Sequence, residues 1–143
     1  MQGAIEFSDH TAVDVMVPID DVVFVRAGAS AEALEMLSVE TGYSRFPVRD
    51  AADIAVGYLH IKDALQVRPG EREEPLASWR IRDIAAVDVD EEVESVLAGM
   101  RRSGAHVALV RQGAEVVGAV FLEDIIEELV GEVRDMVARF EGD

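Results

Sequence analysis

Gly57-Tyr-Leu-His-Ile-Lys-Asp63 returns 61 residues later as Gly118-Ala-Val-Phe-Leu-Glu-Asp124. In both copies a glycine opens a short apolar run, and an aspartate follows as the run gives way to a helical stretch opening at Ile61 or Leu122. The match continues upstream. Ser30-Ala-Glu-Ala-Leu-Glu-Met-Leu-Ser-Val-Glu-Thr-Gly42 answers to Asp90-Glu-Glu-Val-Glu-Ser-Val-Leu-Ala-Gly-Met-Arg-Arg-Ser-Gly104, and Phe46-Pro-Val-Arg49 to Val107-Ala-Leu-Val110. Gly42 and Gly104 are 62 residues apart, whereas Gly57 and Gly118, like Asp63 and Asp124, are 61 apart. Landmarks that keep step in this way mark an internal repeat.

Each copy reads as β-α-β-β-α. Ser30 and Asp90 are N-cap types, because their side-chain oxygens accept from free helical amides. Leu34, Leu37 and Thr41 in one copy, and Val93, Val96, Leu97 and Met100 in the other, recur at helical spacing and predict a core face. Gly42 and Gly104 sit where a helix ends in a left-handed residue. Paired apolar runs around Asp50 to Asp53 and Gln112 to Glu115 predict hairpins. A short strand precedes each first helix, at Val22 to Val25 and near Ala86 to Val89. The expected fold is α/β (α+β): repeat 1 over 11–66, a linker with Pro69, Gly70 and Pro75 over 67–79, repeat 2 over 80–133, and a helical extension over 134–143. A unit of ~60 residues is marginal alone, so the two are expected to pack through their sheets as a pseudo-twofold pair.

Composition narrows the function. Of 143 residues 50% are hydrophobic, which predicts a globular chain. Against 13 basic side chains stand 29 acidic ones, for a formal charge of −16. Such a surface repels phosphate backbones and anionic headgroups, so nucleic acid is excluded as a partner and so is a peripheral membrane role. There is no cysteine, hence no disulfide, zinc ribbon or thiol nucleophile. No apolar run reaches the ~20 residues that span a bilayer. His10, His60 and His106 are dispersed with no second ligand at metal spacing, so no metal site is expected. No nucleophile motif or glycine-rich phosphate loop is present, and no catalytic residue is assigned; the expectation is a protein that is not an enzyme.

Four stretches, in order and spacing, carry a resemblance: Asp14-Val-Met-Val-Pro18, Gly42-Tyr-Ser-Arg-Phe-Pro-Val48, Gly57-Tyr-Leu-His-Ile-Lys-Asp63 and Leu122-Glu-Asp-Ile-Ile-Glu-Glu-Leu-Val-Gly-Glu132. Together they resemble a pair of CBS domains (a Bateman module), and more narrowly the CBS pair of the CorC/hemolysin-C group, relatives of the cyclin M magnesium transporters. The resemblance implies a regulatory module on the cytoplasmic side of the cell membrane, part of a longer protein with transmembrane and C-terminal domains as partners and magnesium or cobalt efflux as its activity. It also implies an adenine nucleotide, ATP or AMP, with or without Mg²⁺, in clefts between the repeats. By position Thr11, Val15 and Met16 would approach the base. Tyr43, Ser44, Arg45 and Pro47 would line the cleft, with Arg45 as the phosphate cation. Asp124 would take the ribose hydroxyls, and Asp63 would mark a second cleft by repeat symmetry.

One departure bears on affinity. Nucleotide-binding CBS repeats usually carry Ser or Thr three residues before the ribose aspartate; here those positions hold His60 and Phe121. Weak binding is therefore expected, and the alternative is a ligand-free module that dimerises and spaces its neighbours. A nucleotide hydrolase is a further rival. Asp63 and Asp124 also fit plain helix N-terminal acids, and Glu123, Asp124, Glu127, Glu128 and Glu132 fit a solvated face as well as a Mg²⁺ attractor. Ile126, Leu129, Val133, Met136, Val137 and Phe140 form a stripe that outruns the repeat. With amphipathic helices on the outside of the joined sheets, a homodimer is expected, helix against helix.

Overall fold

The computed structural model describes residues 10–141, without the side chains of Glu132, Phe140 and Glu141. The expectations for Glu132 and Phe140, and for the end of the extension at 142–143, thus lie outside the described residues. In chain order the elements are α1 (Ala12–Val15), β1 (Val17–Pro18), β2 (Val25–Arg26), α2 (Ala31–Thr41), β3 (Arg45–Arg49), β4 (Ala55–His60), α3 (Ile61–Leu65), β5 (Ala85–Asp88), α4 (Val93–Ser103), β6 (Val107–Gln112), β7 (Glu115–Phe121) and α5 (Leu122–Glu141). The mixed α/β repeat is there twice, with β2-α2-β3-β4-α3 matched by β5-α4-β6-β7-α5.

Local chemistry sets most boundaries. The Ser30 side chain accepts from the Ala33 amide and caps α2. Gly42 and Gly104 end α2 and α4 at φ 77° and 74°, a conformation that costs a residue with a Cβ about 1 kcal/mol or more. The first hairpin turns on Asp50, whose carboxylate accepts from the Ala52 and Ile54 amides, with Asp53 at φ 62°. One cap differs from expectation. Asp90 lies in a turn, and Glu92 takes the N-cap position of α4 without a side-chain bond. The reason is local: Val93 N–H bonds to the His10 carbonyl and Thr11 bridges to Glu92, so the preceding chain serves the end of the helix.

The chain divides into two compact units, cut differently from the sequence repeats: the chain up to Val22 together with Ala85 onward, and Val23–Ile84. The cause lies in the segments that precede each repeat. In the first unit the sheet order is β1-β7-β6-β5, and Val17 and Pro18 pair antiparallel with Ala119 and Gly118 of the second repeat. In the second unit the order is β2-β3-β4, and Arg82 bridges Tyr58 at the edge of β4 in the corresponding place. The linker belongs to this unit too, since the Glu32 amide bonds to the Arg72 carbonyl and the Leu76 amide to the Ala29 carbonyl.

Each unit has its own core on one face of its sheet. In the first, Val93, Val96 and Met100 of α4 and Ile125 of α5 pack with Ala108, Val110 and Val120. In the second, Ala31 and Leu34 of α2 and Ala64 of α3 pack with Phe46, Val48 and Leu59. Strand alternation sends the intervening residues to the other face. Register pairs Val107 with Phe121 and Leu109 with Ala119 there, and, in the second unit, Arg45 with His60 and Pro47 with Tyr58.

Candidate functional site

The sequence-predicted residues fall into two sets, one per unit. Thr11, Val15, Met16, Phe121 and Asp124 share the first. α1 opens at Thr11, whose amide donates to the Asp14 carboxylate at 2.8 Å and whose hydroxyl lies 3.2 Å from the same oxygen. That backbone hydrogen bond is the main reason the Asp14 carboxyl sits below the ordinary carboxylate range. Val15 and Met16 then pack on the unit's core. Met16 lies over Gly118: a Cβ there would sit 2.5 Å from Met16 Sδ and 2.6 Å from the Val17 carbonyl oxygen. The glycine of the repeated motif thus makes room for the segment that carries Val15 and Met16.

Three residues beyond Gly118, β7 ends at Phe121. Phe121 is mostly buried and is not among the residues packed on the helix-covered core; its register partner is Val107 on the opposite face. The Leu122 amide, donating to the His106 carbonyl at 3.0 Å, starts α5 there. Asp124 stands exposed in the first turn. Partial burial raises its carboxyl above the ordinary value, and Glu127, Glu123 and Glu128 raise it further. Among the described residues no cation lies within ion-pair distance of it.

The second unit repeats this geometry with different chemistry. The Ile61 amide donates to the Ser44 carbonyl at 2.8 Å and starts α3, and Tyr43 is half-exposed, its ring centroid 6.5 Å from that of Phe46. Pro47 is fully buried. Arg45 opens β3 directly across from His60, so this pair takes the places of Val107 and Phe121. His60 caps α3: its Nδ1 accepts the Lys62 N–H at 2.9 Å, which leaves the ring hydrogen on Nε2. Burial, then the charges of Arg45, Lys62 and Arg82, holds the imidazole below its ordinary pKa, hence neutral at pH 7.

Asp63 differs most from its counterpart. It is 3% exposed. Its Oδ2 accepts from the His60 amide at 2.8 Å and pairs closely with the Arg82 guanidinium, while Arg80 lies 4.0 Å from Oδ1. The sequence reading gave Arg80 and Arg82 no role. No sequence signal marks them, because the pairing is made across the fold: Ile81-Arg82 runs along Gly57 and Tyr58 as Met16-Val17 runs along Gly118 and Ala119. A cavity of about 240 Å³ also lies in this unit, bordered by Gln66, Arg68, Glu71, Trp79 and Arg80; it includes none of the predicted residues.

Comparison with known proteins agrees with both repeats. The family described as CBS domain matches residues 12–70 and 78–131. The chain is 33% identical over 137 residues to the UPF0053 protein MT1890 of Mycobacterium tuberculosis, a match covering 94% of this chain and 30% of that protein. It is 29% identical over 137 residues to the magnesium and cobalt efflux protein CorC of Pasteurella multocida, covering 94% of this chain and 46% of the other. The chain therefore spans less than half the length of these curated relatives. Among solved structures, the CBS domain of the bacterial CNNM/CorC family Mg²⁺ transporter in complex with ATP superposes with a TM-score of 0.77 at 30% identity, covering 88% of this chain and 91% of that one. With both repeats matched and the fold shared along nearly its whole length, the chain belongs to the CBS-domain family, as a tandem CBS pair of the CNNM/CorC type.

Proposed function

We propose that this CBS pair is the nucleotide-sensing regulatory module of a CNNM/CorC-type Mg²⁺ transport protein, placed on the cytoplasmic face of the membrane. In this reading it binds ATP or AMP, with or without Mg²⁺, and passes its occupancy to an attached transport domain. The observation that carries the reading is the contrast between Asp124 and Asp63. The Asp63 carboxylate is already neutralised by Arg82 and the His60 amide. Asp124 is exposed among like charges with no cation beside it among the described residues, so its ionised form gains from a donor or cation supplied from outside. Ribose hydroxyls supply such donors, and a Mg²⁺ ion relieves the repulsion from Glu123, Glu127 and Glu128. Asp124 is therefore the anchor and Asp63 is structural, with one nucleotide per chain.

The module acts by binding rather than turnover. It does so as a homodimer, because the outer helices of both units expose apolar side chains at equivalent repeat positions: Leu65 at 63% and Ile126 at 48%, with Met36 and Val39 on α2. A second reading, a ligand-free dimerisation module, is favoured by Phe121, which offers no hydroxyl where nucleotide-binding repeats carry one. Isothermal titration with ATP, ADP and AMP, with and without Mg²⁺, separates the two. Weak binding at one site per chain is expected, and no heat at millimolar nucleotide overturns the sensor reading.

A further inference from the structure

The cavity of about 240 Å³ in the Val23–Ile84 unit is built by the linker and is chemically unlike the surroundings of either aspartate. Long irregular segments inside a compact unit are usually either functional or unstructured. This one is tied down. The Glu71 amide donates to the Arg68 carbonyl, the Glu74 amide to the Glu71 carbonyl and the Leu76 amide to the Ala29 carbonyl, while Arg72 pairs with Glu35 of α2. Val67 and Leu76 pack on the unit's core. The cavity is therefore preformed, with apolar side chains at its base and exposed polar ones, Gln66, Arg68, Glu71 and Glu74, around it.

Trp79 borders this cavity and is 76% exposed. The Arg80 guanidinium lies 4.5 Å from the centroid of its ring and donates to Gln66 Oε1 at 3.2 Å. Asp63, 4.0 Å from Arg80, is already closely paired with Arg82, so Arg80 keeps capacity for a second carboxylate. Arg68 brings another guanidinium to the cavity, and Glu71 and Glu74 bring two carboxylates. Among the described residues none of these three stands in an ion pair. The charges that line the cavity therefore cancel. A polyanion such as a nucleotide meets two carboxylates there and a polyamine meets two guanidiniums, whereas a ligand with one charge of each sign is matched. Size narrows the choice further. An apolar cavity of ~150 Å³ accepts benzene, and pockets for drug-sized ligands start at ~300 Å³. This one suits a single branched or aromatic group with a small dipolar head. We propose that the linker cavity binds a free α-amino acid with an apolar side chain. Its carboxylate meets Arg80 and Arg68, its ammonium meets Glu71 and Glu74, and its side chain lies against Val67, Leu76 and the Trp79 ring. The module then has a second input, independent of the nucleotide, on the segment that joins its repeats.

Trp79 is the single tryptophan of the chain, so its emission reports on this cavity directly. Titration with L-leucine or L-phenylalanine should change that emission saturably. Two analogues of leucine test the charges: 4-methylpentanoate lacks the ammonium and leucinamide lacks the carboxylate. Each should bind ~tenfold or more weakly than leucine, as should leucine itself to Arg68→Gln and to the double variant Glu71→Gln, Glu74→Gln. All three substituted residues are exposed, so the variants should melt as the unmodified chain does. Equal affinity for either analogue, or leucine binding that is unchanged in these variants, overturns the proposal. So does an emission that stays constant with both amino acids at millimolar concentration. Either result leaves the nucleotide reading standing, because Asp124 lies in the other unit.

Discussion

Under the proposed function, exchanging Phe121 for threonine supplies a hydroxyl three residues before the proposed ribose anchor Asp124, and the structure allows both consequences to be estimated. Phe121 closes β7 opposite Val107, on the face away from the core built by Val96, Met100, Val120 and Ile125. Complete burial of such a ring contributes ~1.5–3 kcal/mol, and Phe121 is mostly but not fully buried, so truncation predicts a loss of about 1–2.5 kcal/mol. A ring in the core would cost ~3–5 kcal/mol. Threonine is well tolerated in a strand, which keeps the loss near the lower figure. On the binding side, a hydroxyl donating to a phosphate oxygen contributes ~1.5–3 kcal/mol, or roughly tenfold to a hundredfold in affinity. Phe121→Thr should therefore bind ATP roughly tenfold to a hundredfold more tightly while melting only slightly lower. Adding Asp124→Ala should abolish the gain, because the ribose anchor goes with it. Calorimetric titration and thermal melting of the same samples decide the matter. Tight ATP binding by the unmodified chain that is unchanged in the threonine variant refutes the placement of Phe121. So does a core-sized loss of stability with no gain in affinity.

Two further outcomes follow from the paired aspartates. Asp124→Asn should raise the melting temperature of the nucleotide-free protein at pH 7: with a carboxyl pKa raised in the fold, Asp124 favours the folded state only below its unfolded pKa and loses that benefit as pH climbs through the folded value. The gain should fade as the pH falls below the carboxylate range, and the same variant should lose nucleotide affinity; a gain independent of pH would contradict the assignment. Asp63→Asn should instead cost about 3 kcal/mol in denaturant unfolding, because Arg82 and Arg80 lose their counter-charge, yet leave ATP affinity unchanged. Loss of binding without loss of stability would return Asp63 to the ligand.

The repeat, the order of its elements and most of their ends were legible in the sequence because they rest on local rules. Ser30 caps a helix, Gly42 and Gly104 end helices in the left-handed conformation, and Asp50 turns a hairpin, each through bonds to residues a few positions away. Spacing alone also placed Phe121 at the end of a strand and Asp124 in the first turn of a helix. The sequence was silent wherever a partner is distant along the chain. Val17–Pro18 pairs with the hairpin of the second repeat, and Arg82 with that of the first, because each hairpin has an open edge whose amides and carbonyls need partners. The backbone of His10 and Thr11, bonded to Val93 and Glu92, moved the helix cap from Asp90 to Glu92, and the edge pairing of Arg82 brought it onto Asp63. Two aspartates that look equivalent in a repeat became a buried ion pair and an exposed, repelled carboxylate. Sequence symmetry specifies where a carboxylate sits along the chain, whereas its charge state and availability depend on which distant cations the fold delivers to it.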